Sequence, residues 1–416
     1  MKLTQINYPE SSPIPKSQIK SVAKYKNKVL SVMKNGSESE PEFALSPIQL
    51  DSAYNLAVTI KKKFKGVKLL ILVGIGGSDL GTKAVYDACC DNKSVVLHCL
   101  NVIYPSDLQN ILLTVDKVKN IKKLAICIIS KSGKTTETIV NASVLLSALK
   151  KKFSKDIYKQ TVFISNSDTD LVKWGNKLGG TIVTMPSAVG GRYSVSTVVG
   201  LVPLTIMGFA VDDFISGLKL STTEDSLQAS IEQAHVLAFY LKKGYQHYNF
   251  FTFNPRLEKL GAWYRQLLAE SLGKKLNKRK QLVKNSFLPT ISTPAELHSV
   301  GQLYFSKVNK VYTDFVTCND SVDFALPSNS LLKGIKVRRL SQVGEAVYDG
   351  VLKAYKSQEL PHRVTDLETK SLLHLGLFMG GRMLEVMFLA DIMNINAFDQ
   401  PNVELYKKNT KQFLGL

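Results

Sequence analysis

Cysteine is scarce in this 416-residue chain, with five residues, and histidine is barely commoner, with six. That density excludes a disulfide framework, and Cys99 and Cys127 stand inside apolar runs, which suits a reducing, cytosolic compartment. The histidines never fall at metal-ligand spacing, and neither CxxC nor HExxH occurs, so no metal site is readable. The opening residues MKLTQINYPESSPIPK lack an apolar stretch, so no signal peptide is expected. Acidic residues are also short, 34 against 54 Lys and Arg, for a formal charge of +20 and a pI near 9.5. Long uncharged stretches are nearly absent. Residues 193–211 come close, but Ser194, Ser196, Thr197, Gly200 and Pro203 interrupt them, so a buried core helix is expected rather than a membrane span. What remains is ordinary globular composition, 44% hydrophobic and 9% aromatic, long enough for two or three domains.

After a polar lead-in to about Pro47 the chain alternates. Residues 68–73, 95–100, 124–129 and 162–165 are short aliphatic runs, separated by helical segments that include 79–88 and 135–149. Continuous apolar strands with helices between them predict a parallel sheet buried on both faces, one doubly wound α/β domain over roughly 45–210. A second alternation follows, with strands expected at 249–253, 287–291 and 311–316. Asn254-Pro255 opens a helix with a capping side chain and a proline at its first turn. Residues 363–394 read as helical, with Gly380-Gly381 as a kink. Lysine clusters at 61–65, 150–155 and 274–280 fall at element ends. They read as solvated surface rather than a nucleic-acid tract, because no aromatic residues interleave as stacking platforms.

Two loops follow apolar strands with the chemistry of anion cradles. The first is Gly74-Ile75-Gly76-Gly77-Ser78-Asp79-Leu80-Gly81, where glycines admit an anion to the backbone and to the amino end of the next helix. It is no dinucleotide fingerprint, since Asp79 holds the third glycine position and the second strand ends without an acid. The Walker pattern fails as well. The second loop, Ser130-Lys131-Ser132-Gly133-Lys134-Thr135-Thr136-Glu137-Thr138, carries more hydroxyls than capping requires, and favours phosphate over a merely local role. Both loops lie where doubly wound sheets bind ligands.

Four further segments sharpen the case: Gly190-Gly191-Arg192-Tyr193-Ser194, Leu268-Ala269-Glu270-Ser271-Leu272-Gly273-Lys274, Leu297-His298-Ser299-Val300-Gly301-Gln302, and Phe398-Asp399-Gln400-Pro401-Asn402-Val403-Glu404-Leu405-Tyr406-Lys407. With the two loops, six motifs in this order resemble phosphoglucose isomerase, from about residue 70 to 410, at the length of its shorter prokaryotic members. The resemblance implies two SIS-type doubly wound α/β sandwich domains with mainly parallel sheets: an extension over 1–45, a first domain over 46–210 with the phosphate loops, a second over 211–395 with base and ring-opening residues, and a C-terminal loop and helix over 396–416. It implies metal-free, cofactor-free interconversion of glucose 6-phosphate and fructose 6-phosphate through a cis-enediol. Glu270 would then shuttle the proton, His298 would open the ring with help from Lys407, and Arg192 would offset the enediolate charge. Gly77, Ser78, Ser130, Lys131, Ser132, Thr135 and Thr138 would line the sugar-phosphate pocket, and Gln400 would touch substrate from the C-terminal segment. A cytoplasmic homodimer is implied, with His298 shared across the interface and neither nucleic acid nor membrane as partner.

The chemistry suits those residue types independently. One carboxylate can take and return a proton on a single face of an enediol, as the glutamate of triosephosphate isomerase does. Arginine stays cationic throughout and so offsets an oxyanion without titrating. Taken alone, each residue has a plainer reading. Glu270 lies on the flank of the stripe formed by Leu257, Leu260, Tyr264, Leu267 and Leu268, where a surface glutamate would be unremarkable. His298 could be a loop histidine, Lys407 one lysine of a basic helix, and Arg192 an ion-pair partner. Three departures from the family stand out: Asn402 where glycine is usual, the lead Pro294-Ala295-Glu296 before Leu297-His298, and the extra cation Lys134. Two rivals are a non-catalytic sugar-phosphate-binding protein and a nucleic-acid binder; tolerance for mannose 6-phosphate is open.

Overall fold

The computed structural model describes residues 22–89, 95–320, 322–327, 331 and 334–415. Two helices come first, α1 (Ala23–Asn35) and α2 (Pro47–Lys61). A βα alternation then runs β1 (Leu69–Val73), α3 (Leu80–Cys89), β2 (Val96–Leu100), α4 (Pro105–Asp116), β3 (Leu124–Ile129), α5 (Thr136–Phe153), β4 (Thr161–Ser165), α6 (Asp170–Leu178) and β5 (Thr181–Thr184). These strands lie in the order β2-β1-β3-β4-β5, every pair parallel. The chain steps one way from β1 to β2 and the other way to β3, which opens a crevice beyond the carboxyl ends of β1 and β3.

Three helices link the halves: α7 (Val198–Ile206), α8 (Val211–Leu220) and α9 (Glu224–Lys242). The second half contains β6 (His247–Thr252), α10 (Glu258–Leu272), β7 (Leu288–Ser292), α11 (Gly301–Phe305), β8 (Val311–Asn319), α12 (Leu340–Ser357), β9 (His362–Thr369), α13 (Leu372–Ile392) and α14 (Glu404–Phe413). Its sheet, β7-β6-β8-β9, is also wholly parallel. The fold is therefore α/β with two parallel sheets, as expected.

Alternation along the strands builds the cores. Leu69, Ile71 and Val73 turn to one face of the first sheet, with Ile111 of α4 and Leu145 and Leu149 of α5. Leu70, Leu72 and Ile129 turn to the other, into a core that runs on to Tyr248, Phe250 and Tyr312 of the second sheet. Phe251 and Phe315 face away from it, onto Val351 and Tyr355 of α12. Both faces of each sheet are thus covered, as all-parallel sheets require.

Three expectations are corrected. Residues 363–394 are not one helix: residues 362–369 form β9, with Arg363, Thr365 and Leu367 buried and Asp366 and Glu368 exposed. Its charged residues imitate a helix, whereas β-branched Val364, Thr365 and Thr369 and the period-2 burial belong to a strand. Second, α13 runs unbroken through Gly380-Gly381. Glycines there let helices touch: a Cβ on Gly376 would lie 2.1 Å from the Phe214 carbonyl oxygen of α8, and one on Gly380 2.2 Å from Ser221 Oγ. This helix is long and apolar enough to cross a membrane, but 72% of its apolar window is buried in the protein. Third, the lead-in before Pro47 contains α1, whose Val29 and Met33 are buried in the core. Residues 193–207 are buried as expected, though split between a 3-10 turn (Gly191–Ser196) and α7, while Gly208 and Ala210 beyond them are exposed.

The second half encloses a four-charge network. Arg363 and Arg382 donate to Asp314 at 2.8 Å each and to Glu385 at 2.6 and 2.7 Å, and all four side chains are buried. Tyr248 donates to Asp314, and Tyr264 of α10 to Glu385 at 2.5 Å. Burial raises both carboxyls, but the two guanidiniums win and hold Asp314 and Glu385 below their ordinary values. Two cations and two anions cancel, which is the condition for burying charge at all.

Because Gly376 lies against a carbonyl, Gly376→Ala should overpack the α8–α13 contact by about 1–3 kcal/mol. A melting temperature several degrees lower is expected, and an unchanged one would show that the two helices can separate freely.

Candidate active site

The site assembles at the crevice beyond β1 and β3. After β1 the chain turns through a 3-10 turn (Gly76–Ser78), with Gly76 at φ +65°. Gly77 has no room for a side chain, since a Cβ would sit 2.1 Å from the Gly191 carbonyl carbon and 2.6 Å from the Arg192 nitrogen. Ser194 Oγ spans this contact, donating to the carbonyls of Gly191 at 2.7 Å and Gly77 at 3.2 Å. Two glycine loops thus interlock, and the second aims Arg192 inward.

Arg192 is buried and fully engaged. Its Nε donates to Ser271 Oγ at 3.0 Å, and one terminal nitrogen to Glu270 Oε2 at 3.1 Å and Gln400 Oε1 at 3.3 Å. The other terminal nitrogen donates to the carbonyls of Ala397 at 2.6 Å and Asp399 at 3.0 Å. Glu270 keeps 36% of its side chain exposed, toward the crevice, and its Oε1 accepts from Gln266 Nε2 at 3.1 Å. The helix face carrying Glu270 is therefore half core and half site, as its place on the flank of the stripe requires.

The hydroxyl loop faces the same space. Ser130 Oγ and Thr135 Oγ1 are 2.9 Å apart, and Ser132 Oγ accepts the Lys134 N–H at 3.2 Å. Thr138 is buried, and its hydroxyl has no partner among the described residues. Burial and the charge of Arg192 together push the Lys131 ammonium below its ordinary pKa. Ser78 is half-buried between the loops. Lys134 reaches outward to Asp170 at 3.6 Å rather than into the crevice.

Arg192, Glu270 and Gln400 are brought together, with the hydroxyl loop alongside. His298 and Lys407 are not. His298, itself exposed, ends a half-buried 3-10 turn (Pro294–His298) and makes no side-chain hydrogen bond to a described residue. Lys407, half-buried, pairs with Glu404 at 2.9 Å on α14, a helix with no fully buried residue.

Several residues of the arrangement escape sequence reasoning. Gln266 stands four residues before Glu270, the spacing at which helical side chains meet. Lys274, expected on the surface with its cluster, is buried instead: Nζ donates to the Glu270 carbonyl at 2.6 Å and pairs with Asp399 at 3.2 Å. Asn402, the departure from glycine, donates through Nδ2 to the Gly273 carbonyl at 3.0 Å and so pins the C-terminal segment to the end of α10. Among the described residues no three His, Cys, Asp or Glu converge as a metal site would need, and Cys99, Cys127 and Cys318 are free thiols.

The family model described as phosphoglucose isomerase covers residues 59–415. The chain belongs to the phosphoglucose isomerase family. A glucose-6-phosphate isomerase of Clostridium tetani is 26% identical over 380 residues, covering 86% of this chain and 83% of that protein. Among solved structures, a hypothetical protein of Thermus thermophilus superposes with a TM-score of 0.84 at 24% identity, covering 99% of this chain and all of that one. A glucose-6-phosphate isomerase of Chlamydia trachomatis follows at 0.79 and 16% identity, covering 99% and 88%. These two likenesses concern the fold. Family membership makes the chain an aldose–ketose isomerase acting reversibly on glucose 6-phosphate and fructose 6-phosphate, a reaction of glycolysis and gluconeogenesis.

One group in the phosphoglucose isomerase motif carries a pH signature. Burial pushes the Asp79 carboxyl up to about 6, against the hydrogen bond from Asn101 Nδ2 at 2.6 Å; Oδ1 has no partner among the described residues. A carboxyl raised on folding costs stability once it ionises, a cost absent below its unfolded value near 3.8 and complete above about 6. Asp79→Asn should therefore melt above the parent at about pH 8, with the gap closing by about pH 4. A gap independent of pH would mean that Asp79 does not titrate in this range.

Proposed function

We propose a division of labour for this isomerisation in which Glu270 moves the proton between C2 and C1 of the open-chain sugar. The observation that carries it is the shared guanidinium nitrogen, hydrogen-bonded to both Glu270 and Gln400. A base and a fixed cation side by side suit a reaction that removes a proton and develops negative charge on the neighbouring oxygen. Positioned acid–base catalysis contributes about 10²- to 10⁴-fold, and Arg192 adds electrostatic relief at the enediolate. Gly77, Ser78, Ser130, Lys131, Ser132, Thr135 and Thr138 hold the sugar phosphate, which turns the unpartnered Thr138 hydroxyl into a donor with a ligand to serve.

Ring opening falls to His298 with Lys407, supplied across a homodimer. What supports this reading is that both lie outside the cluster that Arg192 organises: among the described residues His298 is exposed, and Lys407, half-buried, pairs with Glu404 of its own helix. The domains divide at about 45, 210 and 395, and a cytoplasmic setting agrees with the free thiols.

The test mixes two inactive variants under conditions of subunit exchange. Glu270→Gln keeps shape and removes basicity, so kcat should fall far more than KM rises, with loss of C2-deuterium exchange. His298→Ala should lose turnover of the cyclic sugar. In a C₂ dimer with shared sites each heterodimer holds one intact site, so random pairing should restore about a quarter of parental activity. Retained deuterium exchange in Glu270→Gln would remove Glu270 as base, and no recovery after verified exchange would place His298 in its own chain's site.

A further inference from the structure

Three loops distant in sequence meet at the amino edge of the first sheet. Residues 61–68, 116–123 and 150–160 lead into β1, β3 and β4, which are neighbours in the sheet. The Lys68 N–H bonds the Lys123 carbonyl at 2.8 Å, and Lys152 Nζ reaches the Val115 carbonyl and Asp116, each at 3.0 Å. These 27 residues hold fourteen lysines and two aspartates, a net +12 of the chain's +20. All fourteen lysines are exposed. Both aspartates are already paired within the patch, Asp116 with Lys152 and Asp156 with Lys159.

Catalysis does not account for this charge. The substrate loops leave the carboxyl ends of β1 and β3, five and six residues further along, so the lysines stand at the opposite edge of the sheet. The same face of a second copy does not cover it in a symmetric dimer either, because the two faces would repel each other.

We propose that this edge is a docking face for the anionic headgroup plane of a lipid bilayer. The residue choice argues for a plane of charge rather than a read-out surface. Arg192 is the first arginine in the chain, so the patch is lysine alone. Lysine is a hydrated point charge without the planar fork that grips single phosphates or base edges. The aromatic residues of the three loops, Phe64, Phe153 and Tyr158, are buried or half-buried and offer bases no stacking platform. Two 3-10 turns, Ile121–Lys123 and Ser154–Gln160, lie along the edge, beside only the carboxyl ends of α2, α4 and α5, and no β-ribbon or whole helix lies there to enter a groove. Such a face binds through the surface potential of anionic lipids, reversibly and within a Debye length. It replaces the plain solvated surface expected from sequence, and it leaves the active-site crevice pointing away from the membrane.

Flotation of the full-length protein with lipid vesicles tests the proposal. Partitioning onto phosphatidylcholine vesicles with about a third phosphatidylserine at about 50 mM salt should exceed that onto pure phosphatidylcholine at least tenfold, and vanish at about 500 mM. The variant Lys62→Glu/Lys122→Glu/Lys151→Glu should lose at least tenfold in partitioning at unchanged isomerase kcat/KM, which also certifies its fold. Equal binding to both vesicle types, or undiminished binding by the variant, would overturn the proposal. So would a duplex DNA that binds the parent while anionic vesicles do not, since the face would then belong to nucleic acid.

Discussion

The guanidinium of Arg192 is the constraint on which the site depends. A buried cation is tolerated only when its donors are met, and here they are met by segments 78 to 208 residues away in the chain. Ser271 and Glu270 come from the end of α10, and the carbonyls of Ala397 and Asp399 and the amide of Gln400 from the C-terminal segment. The interlock of Gly77 with Gly191 fixes the backbone that carries the arginine. One side chain therefore sets the distance between the glycine loops, Glu270 and the C-terminal segment.

Helix α10 must be rigid for that to matter, and a second set of buried charges holds it. Tyr264 ties its middle to Glu385, which Arg363 and Arg382 share with Asp314. Lys274 and Asn402 add bonds at its carboxyl end. Glu270 is thus fixed through core contacts on one side while its carboxylate meets the crevice on the other. His298 and Lys407 lie outside this rigid frame, which agrees with a site completed by a second subunit.

Much of the fold was legible because apolar runs between helices have one common solution, the parallel sheet, and seven of the nine strands matched such runs. β9 escaped because its buried members include Arg363, whose partners Asp314 and Glu385 lie 49 and 22 residues away. Charge normally signals solvent, and only the tertiary network reverses that. β5 is a four-residue strand with one fully buried position, too short for periodicity to register. The residues gathered around Arg192 were legible through motif order, whereas the parts of Lys274 and Asn402 were not, since both meet carbonyls that only the folded chain presents. The lysine clusters at 61–65 and 150–155 were visible in the sequence, but that they share one face was not, since their members are spread over 100 residues of sequence and gathered by sheet order.

The most direct test of this account replaces Arg192 by lysine, which keeps the charge and removes the fork. Hydrogen–deuterium exchange across residues 396–402 should be followed together with kcat in the same preparation. Faster exchange in that segment, with kcat lower by at least about 100-fold, is the predicted result. Parental protection with kcat within about twofold would contradict it, and would reduce Arg192 to one charge among many.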